Sequence, residues 1–377
     1  MFYDSDDCLW LFRLISVDIY QLKPMKFLLK LTFFSVVVFT GIQTVIFLKK
    51  LEIYYFVKYQ PLYFGSFFIL VTIYSGFYIS EAAHNFMRQI EPWPINRLGP
   101  VLEKRIKRQS VYFNIVLIVS TVVSLISGIL HVLPIEDDEE IFYTLAFFQE
   151  YFPKWQRYLC FVYRMSFMLL AIVMPAPFFT FIYLACHGQF QISMMVQVLK
   201  RINKPNHSEE SDLLVDKKYQ ERTNNLLKFS IKRHSQLINA GREAMSRVRF
   251  CCFLISISIA ILFLCVIVFL LSFQGTFEGR YLRLATLIFP AGVIFVHAFF
   301  LGQGVENMST QTFEVMLQSS WYQWNKENKK IYLINLAYCK NPFKLEFNHS
   351  LSLGYELAVS ILKSVYSVLS VMGYLKR

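Results

Sequence analysis

Seven stretches of this chain are apolar over a membrane-crossing length: 27–48, 62–80, 111–133, 158–186, 250–272, 284–302 and 351–375. A helix needs ~20 residues, at ~1.5 Å each, to cross ~30 Å of hydrocarbon. The chain therefore reads as an all-α integral membrane protein with seven transmembrane helices. Composition agrees, because hydrophobic residues make up 55% of the 377 and include 38 Phe, against about 45–50% apolar in ordinary globular domains. The net charge of +12 has no polar domain to carry it as a nucleic-acid face. It is read instead as orienting the chain in the lipid bilayer.

The cysteines at 8, 160, 186, 251, 252, 265 and 339 have no metal-ligand spacing, and no carboxylate–His or Cys–His constellation points to catalysis. No enzyme activity, metal or cofactor is expected. The start, Met1-Phe-Tyr-Asp-Ser-Asp-Asp7, is acidic and lacks the basic region of a cleaved signal peptide. Residues 1–26 are expected at the cytoplasmic membrane surface. Pro175 and Pro177 remove backbone donors in the fourth run and predict a kink. Lys217 to Arg247 reads as an amphipathic helix outside the membrane.

The last run is not uniformly apolar. Glu356, Ser360, Lys363, Ser367, Ser370 and Tyr374 recur at steps of four and three, which at about 100° per residue return to one narrow face. A charge facing lipid costs ~2.5–3.5 kcal/mol at mid-membrane. Such a stripe either lines a water-filled path or packs on another helix with its serines bonded to the preceding turn; the helix alone leaves both open. In the third run Ser120, Ser124, Ser127 and His131 share a face in the same way, as a polar pocket wall or as locally bonded side chains. Arg164, about two turns inside the fourth run, either pairs with the acidic connection 136–140 or snorkels to the headgroups.

An intracellular N-terminus puts 26 of the 38 Lys and Arg in inside connections and 9 outside, with Lys30, Arg164 and Lys363 in spans. The positive-inside rule favours that orientation. The Asn-x-Ser sequons at Asn206, Asn307 and Asn348 are then cytoplasmic and unused. The orientation is opposite to that of a G-protein-coupled receptor. The chain also lacks that class's outer-disulfide Cys on the third helix and its Asp-Arg-Tyr, and Asn341-Pro342 lies outside the runs. A transporter using the striped helix as a path would show paired broken helices or internal symmetry, and neither is evident.

Gly302-Gln303, Ser309, Ser319-Ser-Trp-Tyr322, Lys340-Asn-Pro342 and Leu362-Lys-Ser-Val-Tyr-Ser367 follow one another through the C-terminal part. In this order and spacing they resemble the C-terminal signature of insect odorant receptors. Chain length, seven spans, the inside N-terminus and a long second cytoplasmic connection follow the same plan. Gustatory receptors of that superfamily typically end in Thr-Tyr-x5-Gln-Phe; this chain ends Val371-Met-Gly-Tyr-Leu-Lys-Arg377 and lacks it.

The resemblance implies a ligand-gated, non-selective cation channel: a tuning subunit in a hetero-tetramer with the shared odorant co-receptor, in the plasma membrane of olfactory neuron dendrites. It implies that 27–186 hold spans one to four and an outer-half pocket for a small volatile organic ligand. Residues 187–249 and 303–349 become an intracellular anchor, 250–302 hold spans five and six, 350–375 line the pore and 376–377 lie outside. The matching pocket positions are Phe67, Phe68, Tyr74, Ser124, Ser127, His131, Tyr163, Met165, Met168 and Phe269. They suit a ligand bound mainly by apolar burial, at about 25 cal/mol per Å². Val371 and Leu375, before Lys376, match the family's outer gate, with Tyr374 where the co-receptor has Gln. On a straight helix this pair sits roughly 60–100° from the stripe's centre. Either the helix twists toward its outer end, or gate and stripe use different faces.

Overall fold

The computed structural model describes residues 7–49, 53–135, 138, 142–202, 213–272, 278–348 and 351–375. It describes their side chains except at 53–58, 98, 269–272, 278–281, 284, 347–348, 351, 369 and 372–375. The first three runs become α1 (Lys23–Lys49), α2 (Ile53–Ile90) and α3 (Pro100–Val132). α3 starts sharply because Pro100 suits a first helical turn and Gly99 before it holds φ at 111°, a region open to glycine. A short helix, α4 (Tyr143–Tyr151), leads into the fourth run, which divides into α5 (Gln156–Val173) and α6 (Ala176–Ile202). The expected kink is a full break at Met174–Pro175, where Pro175 has no N–H to continue the ladder.

Several helices outlast their apolar runs, α7 and α8 by the most. α7 (Lys217–Ser272) joins the amphipathic segment to the fifth run as one helix of 56 residues, since no proline stands between them. α8 (Glu278–Leu317) likewise carries the sixth run well past Gly302. α9 (Lys326–Cys339) follows, capped by Asn325, whose side chain accepts from the Asn328 amide at 2.9 Å. The last run begins as a strand: β1 (Glu346–Asn348) pairs antiparallel with β2 (Leu351–Ser352), and α10 (Tyr355–Leu375) starts only afterwards. The late start has a backbone reason, because Leu353 N already donates to Leu345 O at 2.8 Å.

Among the described residues, six helical units are long and apolar enough to cross a membrane: α1, α2, α3, the α5–α6 pair, α7 and α8. α10, with 21 residues, is the seventh of spanning length at ~1.5 Å per residue. α2 lies along α7, α8 packs on α6 and α3, and α5 packs on α3.

Residues 8–20 are not the surface segment that the sequence suggested. Leu9, Phe12, Ser16, Val17 and Tyr20 are buried, filling a space between α2, α3 and α6. Phe12 meets Phe179 edge-on at 6.0 Å, and Tyr20 donates to Val173 O at 3.3 Å. Gly76 makes the room, since a Cβ there would overlap the Tyr20 phenol. Polar ends are also paired: Asp7 accepts from Tyr183 at 3.0 Å and lies 3.2 Å from His187 Nε2. The segment is too short to span a bilayer, so the length criterion that finds spans passes over it.

Candidate ligand site and pore helix

The serine face of α3 points inward. Ser120, Ser124 and Ser127 are buried, and the hydroxyls of Ser120 and Ser127 have no hydrogen-bond partner among the described residues. Gly128 lets α5 approach, because a Cβ there would come within 2.9 Å of Ala171 Cβ and 3.3 Å of Met168 Sδ. His131, one turn above Ser127, places Nδ1 2.7 Å from the Ser127 carbonyl. Its ring lies 5.3 Å from Phe167 and 6.4 Å from Phe142. Tyr163 extends the cluster, with edge contacts to Phe167 at 5.4 Å and to Phe39, Phe142 and Phe148 at 6.4 Å. Ser127, His131, Tyr163 and Met168 thus meet where α3 and α5 face each other, beneath α4.

Above this cluster lies Asp138. Its carboxylate is 2.6 Å from Arg283 Nη1 and 2.7 Å from Arg164 Nη1, and it accepts from Ile135 N at 3.0 Å. Arg164 therefore pairs with the acidic connection rather than snorkelling. Arg283 also donates to the carbonyls of Leu130 and Leu133. Burial pushes the Asp138 carboxyl upward, but the bonds from Arg283, the Ile135 amide and Arg164 outweigh it and hold the group below the usual carboxylate range.

The other pocket candidates do not converge there. Phe68 packs toward the core beside α6 and α7. Phe67 and Tyr74 on α2 and Met165 on α5 are each about two-fifths exposed, with Phe67 against Tyr63 and Tyr74 against Tyr78. Phe269 has a helical backbone, but its side chain lies outside the described residues. Sequence reasoning did not select Phe39, Phe142, Phe148 or Phe167, because nothing in a chain so rich in Phe marks which rings turn inward. A signal existed for Phe167: it lies one helical turn beyond Tyr163, on the same face.

α10 is sparsely held by its own chain. Leu357, Ala358 and Ile361 pack toward the core, whereas Glu356, Ser360, Lys363, Ser367 and Ser370 are exposed. At about 100° per residue the packed side lies roughly 145° from the centre of the polar stripe. Within this chain, then, the stripe is not buried against another helix. Val371 is exposed; Tyr374 and Leu375 continue the helix, with side chains outside the described residues. Where α10 leaves the bundle, Gly302 lies so close to Leu353 that a Cβ would overlap the Leu353 carbonyl, and Tyr355 N donates to Gln303 Oε1 at 3.2 Å. Gly302-Gln303 is thus the seat of the last helix.

A bundle of helices of spanning length, with a buried polar and aromatic cluster and a polar helix face turned outward, defines a multi-span membrane protein. The 7tm odorant receptor family model matches residues 79–366, and the chain belongs to that family of odorant receptors. No curated protein matches the sequence. Among solved structures, the insect olfactory receptor OR5 from Machilis hrabei, in complex with eugenol, aligns with a TM-score of 0.67. The alignment covers 98% of this chain and 97% of that one at 10% identity, which shows a shared fold.

Proposed function

We propose that this odorant receptor is the tuning subunit of a ligand-gated, non-selective cation channel, assembled with the shared co-receptor as a hetero-tetramer. The observation that carries the reading is α10, a helix of spanning length whose stripe of Glu356, Ser360, Lys363, Ser367 and Ser370 turns away from its own bundle. Facing lipid, each charge costs ~2.5–3.5 kcal/mol at mid-membrane. Gathered with the seventh helices of neighbouring subunits around an axis, the same stripe faces water. Val371 and Leu375, with Tyr374 between them, form the outer gate of that path.

The N-terminus is cytoplasmic, as the distribution of Lys and Arg favours, and the end of α6, the N-terminal part of α7, the end of α8 and α9 form the intracellular anchor. The receptor resides in the plasma membrane of olfactory neuron dendrites. A small volatile ligand binds among Ser124, Ser127, His131, Tyr163 and Met168, with Phe142 and Phe167 added to the wall. Apolar burial supplies most of its affinity, and the unpartnered Ser127 hydroxyl selects among polar groups. Phe269 is kept in this pocket on the resemblance alone, Phe68 serves core packing, and Phe67, Tyr74 and Met165 serve lipid or subunit contact.

Recording from cells that express the chain with the co-receptor tests this. Odorant-evoked cation current is expected for some members of a broad panel. Its absence despite surface expression would overturn the reading. An epitope tag at Met1 should be accessible only after permeabilisation.

A further inference from the structure

A cavity of about 60 Å³ lies at the opposite end of the bundle from the α3 serine face, between α2, α6, α7 and the loop before β1. Its wall is almost wholly apolar and includes Phe86, Leu184, Gly188, Gly241, Cys252 and Phe343. Two glycines account for it. A Cβ built on Gly188 meets nothing within 4 Å, so glycine leaves that space empty. A Cβ on Gly241 would come 2.8 Å from Phe343 Cζ, so this glycine admits the ring that closes the cavity.

We infer that this cavity is a second ligand site, for a small molecule with no polar group, such as a noble-gas atom or a hydrocarbon of a few carbons. An apolar cavity of this kind stays dry, and its wall atoms lack dispersion partners on the open side. A polar odorant would lose its water there without finding a hydrogen bond. An apolar one gains contacts on every side.

The Phe343 wall connects the site to the last helix. Phe343 N donates to the Ser309 hydroxyl oxygen at 2.8 Å, and Lys344 pairs with Glu306 at 2.8 Å. Leu345 O then receives Leu353 N at 2.8 Å, just before α10. A filled cavity therefore bears on the segment that seats α10. Binding itself does not depend on the channel reading.

The test uses the full chain, purified in detergent, with thermal unfolding followed under nitrogen, xenon or butane. Xenon should raise the wild-type midpoint, as a ligand of the native state does. Gly188→Val should place its methyl groups in the cavity and weaken the xenon response about tenfold or more, with Gly188→Ala intermediate. Phe343→Ala, which removes the ring that closes the cavity, should respond more strongly to butane than wild type does. An equal xenon response in wild type and both Gly188 variants, or none in wild type, would overturn the inference.

Discussion

Asp138 and Arg283, separated by 145 residues, meet as a buried ion pair at 2.6 Å. The pair fastens the connection after α3 to the start of α8, and Arg164 brings in α5 on the other carboxylate oxygen. Removing one partner of a buried pair leaves an uncompensated charge, at about 3–5 kcal/mol. Arg283→Leu should therefore lower the unfolding midpoint strongly, and Asp138→Asn with Arg283→Leu should cost less than the two single changes added. Additive losses would mean that the two groups act separately.

The same pair predicts a dependence on pH. The folded carboxyl of Asp138 titrates below its unfolded value. Its stabilisation is thus complete above about pH 4, the ordinary carboxylate range, and is lost as pH falls through the lower folded value. Comparing unfolding midpoints of wild type and Asp138→Asn between neutral pH and pH 3 should show the gap narrowing on the acid side.

Arg233 is buried and lies 4.6 Å from the Trp93 ring centroid, with bonds to Gln191 Oε1 at 2.7 Å and to the Ile90 and Glu91 carbonyls. These contacts tie the connection after α2 to α6 and α7. They need a planar, forked cation, so Arg233→Lys should fail to restore stability lost in Arg233→Ala. Trp93→Leu should cost ~0.5–2 kcal/mol from the stacking alone, before lost apolar burial is counted. Denaturant or thermal midpoints of the purified variants decide both.

At the proposed ligand cluster, Ser127→Ala removes a hydroxyl without a partner among the described residues and leaves the apolar wall unchanged. Potency should fall about fivefold, near 1 kcal/mol, for odorants bearing a carbonyl or hydroxyl, and stay level for matched hydrocarbons. Dose–response curves for such pairs are the measurement. A uniform loss would indicate packing damage instead.

Gly302→Ala should displace the start of α10 from α8, because the new methyl meets backbone at Leu353 rather than a movable side chain. Overpacking of this kind typically costs ~1–3 kcal/mol. The expected signature is reduced odorant-evoked current at normal surface expression.

Val371→Asn tests the gate. If Val371 closes the path, a polar replacement should raise resting conductance. Unchanged conductance and leak would place the constriction on another face of α10.

The seven runs, the break at Pro175 and the two polar faces were legible because each depends on local spacing along one helix. Helix period alone puts Ser127 and His131 on one face, and Glu356 and Lys363 on another. The C-terminal signature was legible too, and Gly302 shows why: only a residue without a side chain fits against Leu353.

Tertiary structure alone decided what those faces meet. The sequence could not show that the stripe of α10 turns away from its own bundle, or that Tyr163 joins His131 among Phe142 and Phe167. Nor could it show that Leu9 and Phe12 fill the core, or that Asp138 draws in both Arg164 and Arg283. The physical reason is common to all of these. Amphipathic period constrains the angle of a side chain around its own axis, whereas partners are chosen by close packing and charge neutralisation between segments far apart in the chain.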